Sequence, residues 1–426
     1  MRSYIKDALK KTGAAGKVEV FGWIHEKRDL GKIRFLLLRD ISGIIQITAL
    51  KNKADKKVFE LMDKLSCESV IAVFGNVKAS KQAPGGKEII PDKISLIAKS
   101  EEKLPIDVSD FSKTELPKRL DYRFLDLHRK KTQAIFKIQS TISSAFREHF
   151  IKKDFIEFQP PSIISSASEG GTELFPVKYF EKSAYLAQSP QLYKQMIACS
   201  MEKAFTITPV WRAEKHNTIR HLNESRQMDI EMAFSGQTEV MKELEEVVKY
   251  IVSQVLEKNK QELEILGVKL KIPRAVYLSY EEAIKKIHGK LGEDFSPEQE
   301  KKLCDMHKDD IVFVHSWPTS IKPFYIMPQN ENSEAKLSEG FDALYKGIEI
   351  SSGGQRVHIP ALLEKMLKKK KLNPKNFKYY IDSFRYGAPK HSGWSIGLER
   401  FTQALLGLNN IREACLFPRD RDRLVP

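Results

Sequence analysis

Cysteine is scarce in this chain of 426 residues, and its four cysteines, Cys67, Cys199, Cys304 and Cys415, stand far apart with no CxxC pair. Neither a zinc knuckle nor a disulfide framework is indicated, and a reduced, cytoplasmic setting fits. No apolar run approaches the ~20 residues of a membrane span, and the start MRSYIKDALKK lacks the apolar core of a signal peptide. A soluble, intracellular protein with no membrane partner is expected. No internal repeat is visible. Acidic residues fall short of basic ones, 56 Asp and Glu against 71 Lys and Arg, which leaves a formal charge of +15 and room for a polyanionic partner. Charge alone favours nucleic acid only somewhat over plain solubility.

What is present divides by pattern. From Lys17 to about Ala98, short alternating segments (KVEVFGWIHEKR, KIRFLLLRD, GIIQITAL, SVIAVFGNVKA and KEIIPDKISLIAK) are punctuated by glycine. Five such strands predict a small closed barrel of the oligonucleotide-binding type, placed at residues 1–104. The next stretch loses the alternation and gains charge and proline, so residues 105–131 read as a linker. Residues 132–426 form a large α+β domain. Ile135, Ile138, Ile142, Ala145 and Phe146 recur at helical spacing, FIEFQPPSII reads as a strand interrupted by two prolines, and AYLAQ, AFTITPVWRAE, QMDIEMAF and GIEISSGG alternate like antiparallel strands. A central antiparallel sheet flanked by helices is therefore expected, with a small, charged helical insertion at about 278–310.

Three stretches carry chemistry. In PVWRAEKHNTIRHLNESRQMDIEMAF, a strand, a charged loop and a second strand, Arg212 and Glu214 share one strand face, so a cation and an acceptor project together. Arginine there suits a phosphate, whose oxygens its planar fork can bind in pairs, although a lone RxE is weak evidence. HSGWSIGLERF places Gly393 and Gly397 before Glu399 and Arg400; small residues there would admit another backbone or a flat ring, and read singly it is an ordinary helix start. QSPQLYKQ carries Gln188, Gln191 and Lys194 at near-helical spacing in an apolar stretch, which by itself reads as a solvated helix face.

Taken together, RAE with RHLNE, GLER, the proline-bearing FIEFQPPSII and the FPRD near the end resemble the three motifs of the class II aminoacyl-tRNA synthetases, in the same order and relative spacing. With the N-terminal barrel, the resemblance covers essentially the whole chain. QSPQLYKQ, SEGGTELFPVKYF and GIEISSGGQR narrow it to the aspartyl-tRNA synthetases of the compact archaeal and eukaryotic-like type. Carried over, the resemblance implies an ATP site in which Arg212 holds the α-phosphate, Glu214 accepts from the adenine amino group, His221 lies near the β- and γ-phosphates and Arg400 stacks on adenine or grips the γ-phosphate. Asp342 and Glu349 match the acidic pair that binds Mg2+, with Glu349 also bordering ATP and Ser352 a further oxygen ligand that borders the aspartate. That donor set suits a hard cation shared with phosphate oxygens. Pro161 matches the motif 1 proline at the family's dimer interface and implies a homodimer, although Pro160 before it and Ser162 after it depart from the commoner pattern.

For the amino acid, Lys194 and Arg356 match the positions that receive the side-chain carboxylate of L-aspartate, Gln191 the residue near its α-carboxylate, Asp229 the acid facing its ammonium and Glu169 the loop that closes over it. Two cations suit a carboxylate and give a neutral amide little. Asparaginyl enzymes usually lack the lysine, and lysyl enzymes need acidic groups around the side chain. In the barrel, Phe35, Gln46 and Glu88 match anticodon-contacting positions and Arg28 a backbone contact, so tRNA(Asp) is the implied partner. Phe35 alone reads equally as barrel core. Whether tRNA(Asn) is also charged turns on Trp23, His25 and the loop around Gln82: Trp23 follows the strict pattern, whereas Gln82 stands where strict enzymes often carry lysine. A catalytically dead tRNA-binding paralogue is the remaining alternative, and such proteins typically lose motif arginines or metal carboxylates that this chain retains.

Overall fold

Alternation along β1 (Lys17–Asp29) turns Val18, Val20 and Ile24 inward, and the same period in β2 (Ile33–Asp40), β3 (Gly43–Leu50), β4 (Val70–Ala79) and β5 (Lys87–Ala98) adds Leu36, Leu38, Ile45, Ile47, Ile71, Val73 and Ile89 to one apolar core. In the computed structural model, which describes residues 2–11, 16–109, 111–165, 173–215 and 218–426, these strands close a barrel in the order β1-β2-β3-β5-β4. The closure between β3 and β5 is the one parallel pairing, with Gln46 opposite Glu88. Where β1 crosses β2, a Cβ on Gly22 would lie 2.3 Å from the Arg39 carbonyl oxygen, so the bend requires glycine. The helix Lys56–Lys64, capped by Asp55 accepting from the Lys57 N–H, packs Val58, Phe59 and Met62 against the barrel.

The chain divides at residue 105 into two compact units. The second holds an eight-stranded sheet of β6 (Ile156–Glu157), β10 (Lys203–Trp211), β11 (Glu224–Ala233), β12 (Ala275–Ser279), β13 (Ile311–His315), β14 (Gly340–Tyr345), β15 (Ile348–Gln355) and β16 (His391–Gly397), in the order β12-β13-β14-β15-β16-β11-β10-β6. Its centre is antiparallel and its two edge pairings, β12 with β13 and β10 with β6, are parallel. The helices Lys130–Ile151, Gln237–Lys258 and Leu398–Leu406 cover one face, packing Ile138, Phe146, Leu244, Val248 and Phe401 on Phe205, Met228, Ile230, Trp394 and Ile396. Side chains alternate across each strand, so the intervening residues face the other side, where the chemistry collects.

Three expectations change. FIEFQPPSII is two strands in two sheets: β6 edges the large sheet, while β7 (Ile163–Ile164) joins β9 (Lys182–Leu186) and β8 (Pro176–Tyr179) in a small sheet, with the prolines between. AYLAQ lies in that small sheet too, outside the central one. The stretch read as a linker folds from Leu116 onward as helices Leu116–Asp121 and Arg123–Asp126 of the second unit. Its charges are internal: buried Arg123 donates to Asp126 (2.6 Å) and to the carbonyls of Cys415 (2.6 Å) and Leu416 (2.9 Å). Pro117 sits in the first turn of its helix, where its missing N–H costs nothing. The insertion contains helices Tyr280–Ile287 and Pro297–Asp305, each opened by a capping box, around a small core of Tyr280, Ile284, Leu303 and Trp317. Among the described residues, no helix is long and apolar enough to cross a membrane.

Candidate active site

Register alone assembles the first part of the site. Thr206, Asp229, Ser395, Ser352 and Asp342 pair successively across β10, β11, β16, β15 and β14, forming one transverse row on the face away from the covering helices. Two residues further along β11, Glu231 lies opposite Gly393. A Cβ on Gly393 would meet Glu231 Oε2 at 2.1 Å and the Ile230 carbonyl oxygen at 2.2 Å, so of the two occupants the sequence suggested it is a neighbouring backbone, with the sheet's own carboxylate, that this glycine admits.

At this row two cations and two anions are buried together. Lys194, from the helix Gln191–Met201, donates to Asp229 Oδ1 (2.7 Å) and the Trp394 carbonyl (3.0 Å), and lies 3.6 Å from Glu231 Oε2. Arg356 grips Glu231 bidentately through Nε (2.8 Å) and Nη2 (3.1 Å), and Ser395 donates to Asp229 Oδ2 (3.0 Å). Burial pushes the Asp229 carboxyl up against the pull of Lys194; burial also raises Glu231, but Arg356 and Lys194 outweigh it and hold that carboxyl low. Lys194 is thus a fully buried ammonium, and the solvated face suggested by QSPQLYKQ in isolation does not exist. Sequence reasoning missed Glu231, although its alternation with Asp229 in QMDIEM puts both on one face.

Gln191 is oriented by a buried chain. His391 Nδ1 lies 2.9 Å from the Pro389 carbonyl, which can only accept, so neutral His391 carries its proton there and Nε2 accepts from Gln195 (3.0 Å). Burial depresses the His391 pKa and favours that neutral ring. Gln195 Oε1 then accepts from both Tyr380 Oη (2.6 Å) and Gln191 Nε2 (3.1 Å).

Gln191, Arg356, Ser395 and Ser352 line one end of a cavity of about 250 Å3, and Arg212, Glu214, Arg220, His221, Glu349, Glu399 and Arg400 line the rest. Lys194, Asp229, Glu231 and Asp342 do not line it, but Asp229 accepts from Ser395 and Asp342 pairs with Ser352, both of which do. Arg212 and Glu214 lie just beyond the end of β10 and are held by Asn223, whose Nδ2 donates to the carbonyls of Arg212 (2.6 Å) and Glu214 (3.0 Å). His221 Nδ1 is 2.6 Å from Thr218 Oγ1, and its Nε2 lies 3.9 Å from Glu214. Arg400 reaches the Glu349 carbonyl at 3.5 Å. Burial, then repulsion from Asp342, pushes the Glu349 carboxyl up to about 7. Asp342 Oδ2 accepts from Lys322 (2.5 Å), while its buried Oδ1 has no partner among the described residues. An orphaned carboxylate oxygen beside a carboxyl reluctant to ionise fits a divalent cation. Arg220 and Asn223, both within RHLNE, have no role that the sequence alone assigns.

On the barrel, Phe35, Gln46 and Glu88 gather on the outer side. Phe35 alternates with the core residues Leu36 and Leu38 and is half-buried outside the core, opposite Thr48 on β3 and Arg28 on β1. Glu88 Oε2 accepts from Gln46 (2.9 Å) and Thr48 (2.6 Å). Arg28 is exposed and paired with Glu26 (2.6 Å). Trp23 is exposed, half-buried His25 lies 3.2 Å from Arg39, and Gln82 is exposed in the loop between β4 and β5. Pro161 is exposed between β6 and β7. Glu169 lies outside the described residues.

A polyanion-suited cavity on a helix-backed antiparallel sheet, in one chain with a five-stranded barrel, defines a class. The chain belongs to the tRNA synthetases class II (D, K and N), whose family profile matches residues 115–421, and residues 18–97 match the OB-fold nucleic acid binding domain. It is 45% identical, over 100% of both chains, to the aspartate–tRNA(Asp/Asn) ligase of Archaeoglobus fulgidus, and 44% identical, again over 100% of both, to the aspartate–tRNA(Asp) ligase of Pyrococcus horikoshii. Among solved structures it is similar to the asparaginyl-tRNA synthetase of Pyrococcus horikoshii complexed with asparaginyl-adenylate, with 34% identity, a TM-score of 0.89 and 96% of each chain covered. A putative aspartyl-tRNA synthetase from Leishmania major matches at 29% identity and a TM-score of 0.91, over 100% of this chain and 95% of that one.

Proposed function

We propose that this protein is an aspartate–tRNA ligase, which activates L-aspartate with ATP and transfers it to the 3′ end of tRNA(Asp). The observation that carries this reading is the buried Lys194–Asp229–Glu231–Arg356 group, whose Arg356 lines the same cavity as Arg212, Arg220 and Arg400. Arg356 uses Nε and Nη2 on Glu231 and has Nη1 left for a ligand carboxylate, with Lys194 behind it adding positive potential. Asp229 supplies the negative charge that an amino acid's ammonium needs. Asparagine would present an amide to a site arranged for charge, and an imperfectly matched buried group is costly.

The α-carboxylate of aspartate attacks the α-phosphorus of ATP in line, Arg212 neutralises charge gathering on the phosphoryl oxygens and pyrophosphate leaves. Glu214 accepts from the adenine amino group, while His221 and Arg400 engage the far phosphates. Asp342, Glu349 and Ser352 would hold Mg2+, which when bound offsets the charge of the phosphate chain. The 3′-hydroxyl of tRNA then attacks the adenylate carbonyl. No side-chain nucleophile is required, so catalysis rests on positioning and electrostatics. Gln191 and Ser352 border the amino acid. Phe35, Gln46, Glu88 and Arg28 read the anticodon from the barrel's outer side. Exposed Pro161, flanked by Ile156 and Ile163 at 45% and 44% exposure, supports a homodimer through this edge, and the cytoplasm is the expected setting.

A second reading, in which tRNA(Asn) is charged as well, is favoured by Gln82 and by the Archaeoglobus relative's name; Trp23 favours strict selection. Charging with labelled aspartate of tRNA(Asp) and tRNA(Asn) transcripts side by side tests both. Charging of the first alone supports a discriminating enzyme, charging of both the broader one, and charging of neither overturns the proposal.

A further inference from the structure

We infer that Glu300, on the insertion helix Pro297–Asp305, is a positioning residue that holds Arg220 at the phosphate end of the cavity, which gives the insertion a part in nucleotide binding. The inference rests on the ATP-dependent reading of this cavity. Arg220 comes from the loop between β10 and β11 and lines the cavity with Arg212, Arg400 and Glu349. Two of its three nitrogens are fixed from outside that loop: Nη1 donates to Glu300 Oε2 (2.9 Å) and Nη2 to the Gly347 carbonyl (3.2 Å) in the turn joining β14 to β15. The pair is largely sheltered, with side-chain exposures of 24% for Arg220 and 14% for Glu300.

Glu300 is built into this corner. It accepts from the Glu349 backbone N–H and feels the charge of Arg400 as well as Arg220. The same helix lies against the turn, with Lys301 Cγ 3.4 Å from where a Cβ of Gly347 would stand. One acidic side chain from the insertion thus touches the loop arginine and the strand that carries Glu349. An arginine on a loop loses much rotamer freedom when it grips a phosphate; one already fixed has less to lose when the ligand arrives. Glu300 faces the guanidinium from the protein side, so the carboxylate orients Arg220 and neutralises it until a polyphosphate takes over.

The test is a double-mutant cycle on the full chain, reading the Kd of Mg–ATP by calorimetry. Glu300→Ala is expected to weaken binding about twofold to tenfold, the effect of freeing one rotamer-rich side chain. Glu300→Gln, which keeps an acceptor, should recover part of that loss. In an Arg220→Ala background, Glu300→Ala should add nothing, and the KM for aspartate should not move in any variant. Unchanged ATP binding in Glu300→Ala overturns the inference, as does a full loss that persists without Arg220 or an equal rise in the aspartate KM. A wild type that binds Mg–ATP yet shows no aspartate-dependent pyrophosphate exchange would defeat the functional reading instead, leaving the cycle to decide this one.

Discussion

On the barrel, half-buried Gln46 and Glu88 share hydrogen bonds with buried Thr48 beside Phe35, while in the second unit Lys194, Asp229, Glu231 and Arg356 form a charged group that is 2% exposed or less. The barrel group can exchange its partners for water or for a base at little cost. The buried group cannot, because removing one member strands the other's charge in a buried site, a loss of about 3–5 kcal/mol for a buried pair. A partly exposed polar group of neutral partners and one acid thus suits exchangeable contacts, and a buried group of paired charges suits fixed ones.

That contrast can be broken most forcefully at Lys194. Lys194→Leu leaves Asp229 without its main cation, so aspartate-dependent pyrophosphate exchange should disappear and the melting temperature should fall; near-normal exchange would remove Lys194 from the account. Arg212→Ala should reduce kcat by about a hundredfold to a thousandfold, the usual loss for one charge-stabilising donor, because Arg212 lines the cavity and is not core. A thermal melt should leave that variant's folding intact, and a collapsed melt would make the lost turnover uninterpretable as chemistry.

Glu399 sharpens the comparison, being a buried carboxyl whose chief fixed contact is the Arg226 backbone N–H (3.0 Å). Burial pushes its pKa from 4.5 up to about 7. The folded state therefore holds this proton more tightly than the unfolded chain. Its contribution is fully present below about pH 4.5, declines through the window up to about pH 7 and is absent above it, a change on the order of 3 kcal/mol. Glu399→Gln should flatten that part of the stability profile, gaining over the wild type at pH 8 and little at pH 5; parallel profiles in denaturant titrations would contradict the burial argument. Smallest in effect, Phe35→Ala should raise the KM for tRNA by roughly fivefold to a hundredfold, the range for one stacked base, without changing pyrophosphate exchange. An unchanged KM would return Phe35 to a purely structural role.

Local pattern makes much of this legible in the amino-acid sequence. Alternation marks the barrel strands, but it does not place Arg212 and Glu214: β10 ends at Trp211, and both residues reach the cavity from the loop that Asn223 holds, not from a shared strand face. What stays hidden depends on partners far apart along the chain. Glu231 stands two places from Asp229, yet its significance comes from Arg356, 125 residues away, and the need for glycine at 393 comes from that same carboxylate together with the Ile230 carbonyl beside it. The charged, proline-bearing stretch ahead of Lys130 reads as a linker because composition does not say whether charges face water or one another; Arg123 and Asp126 face one another. Phe35 belongs to the outer side because its neighbours Leu36 and Leu38 fill the core, a fact of packing that the residue type alone does not carry. Arg220 and Glu300, 80 residues apart, have no local signature at all.

The most direct test of the central claim is ATP–pyrophosphate exchange with aspartate and asparagine in parallel, without tRNA. Exchange that depends on aspartate, with asparagine at least a hundredfold poorer in kcat/KM, is the predicted result for a buried site of paired charges (about 3 kcal/mol of discrimination). Equal or faster exchange with asparagine would mean that Lys194 and Arg356 serve their own carboxylates alone, and the assignment to aspartate would fall.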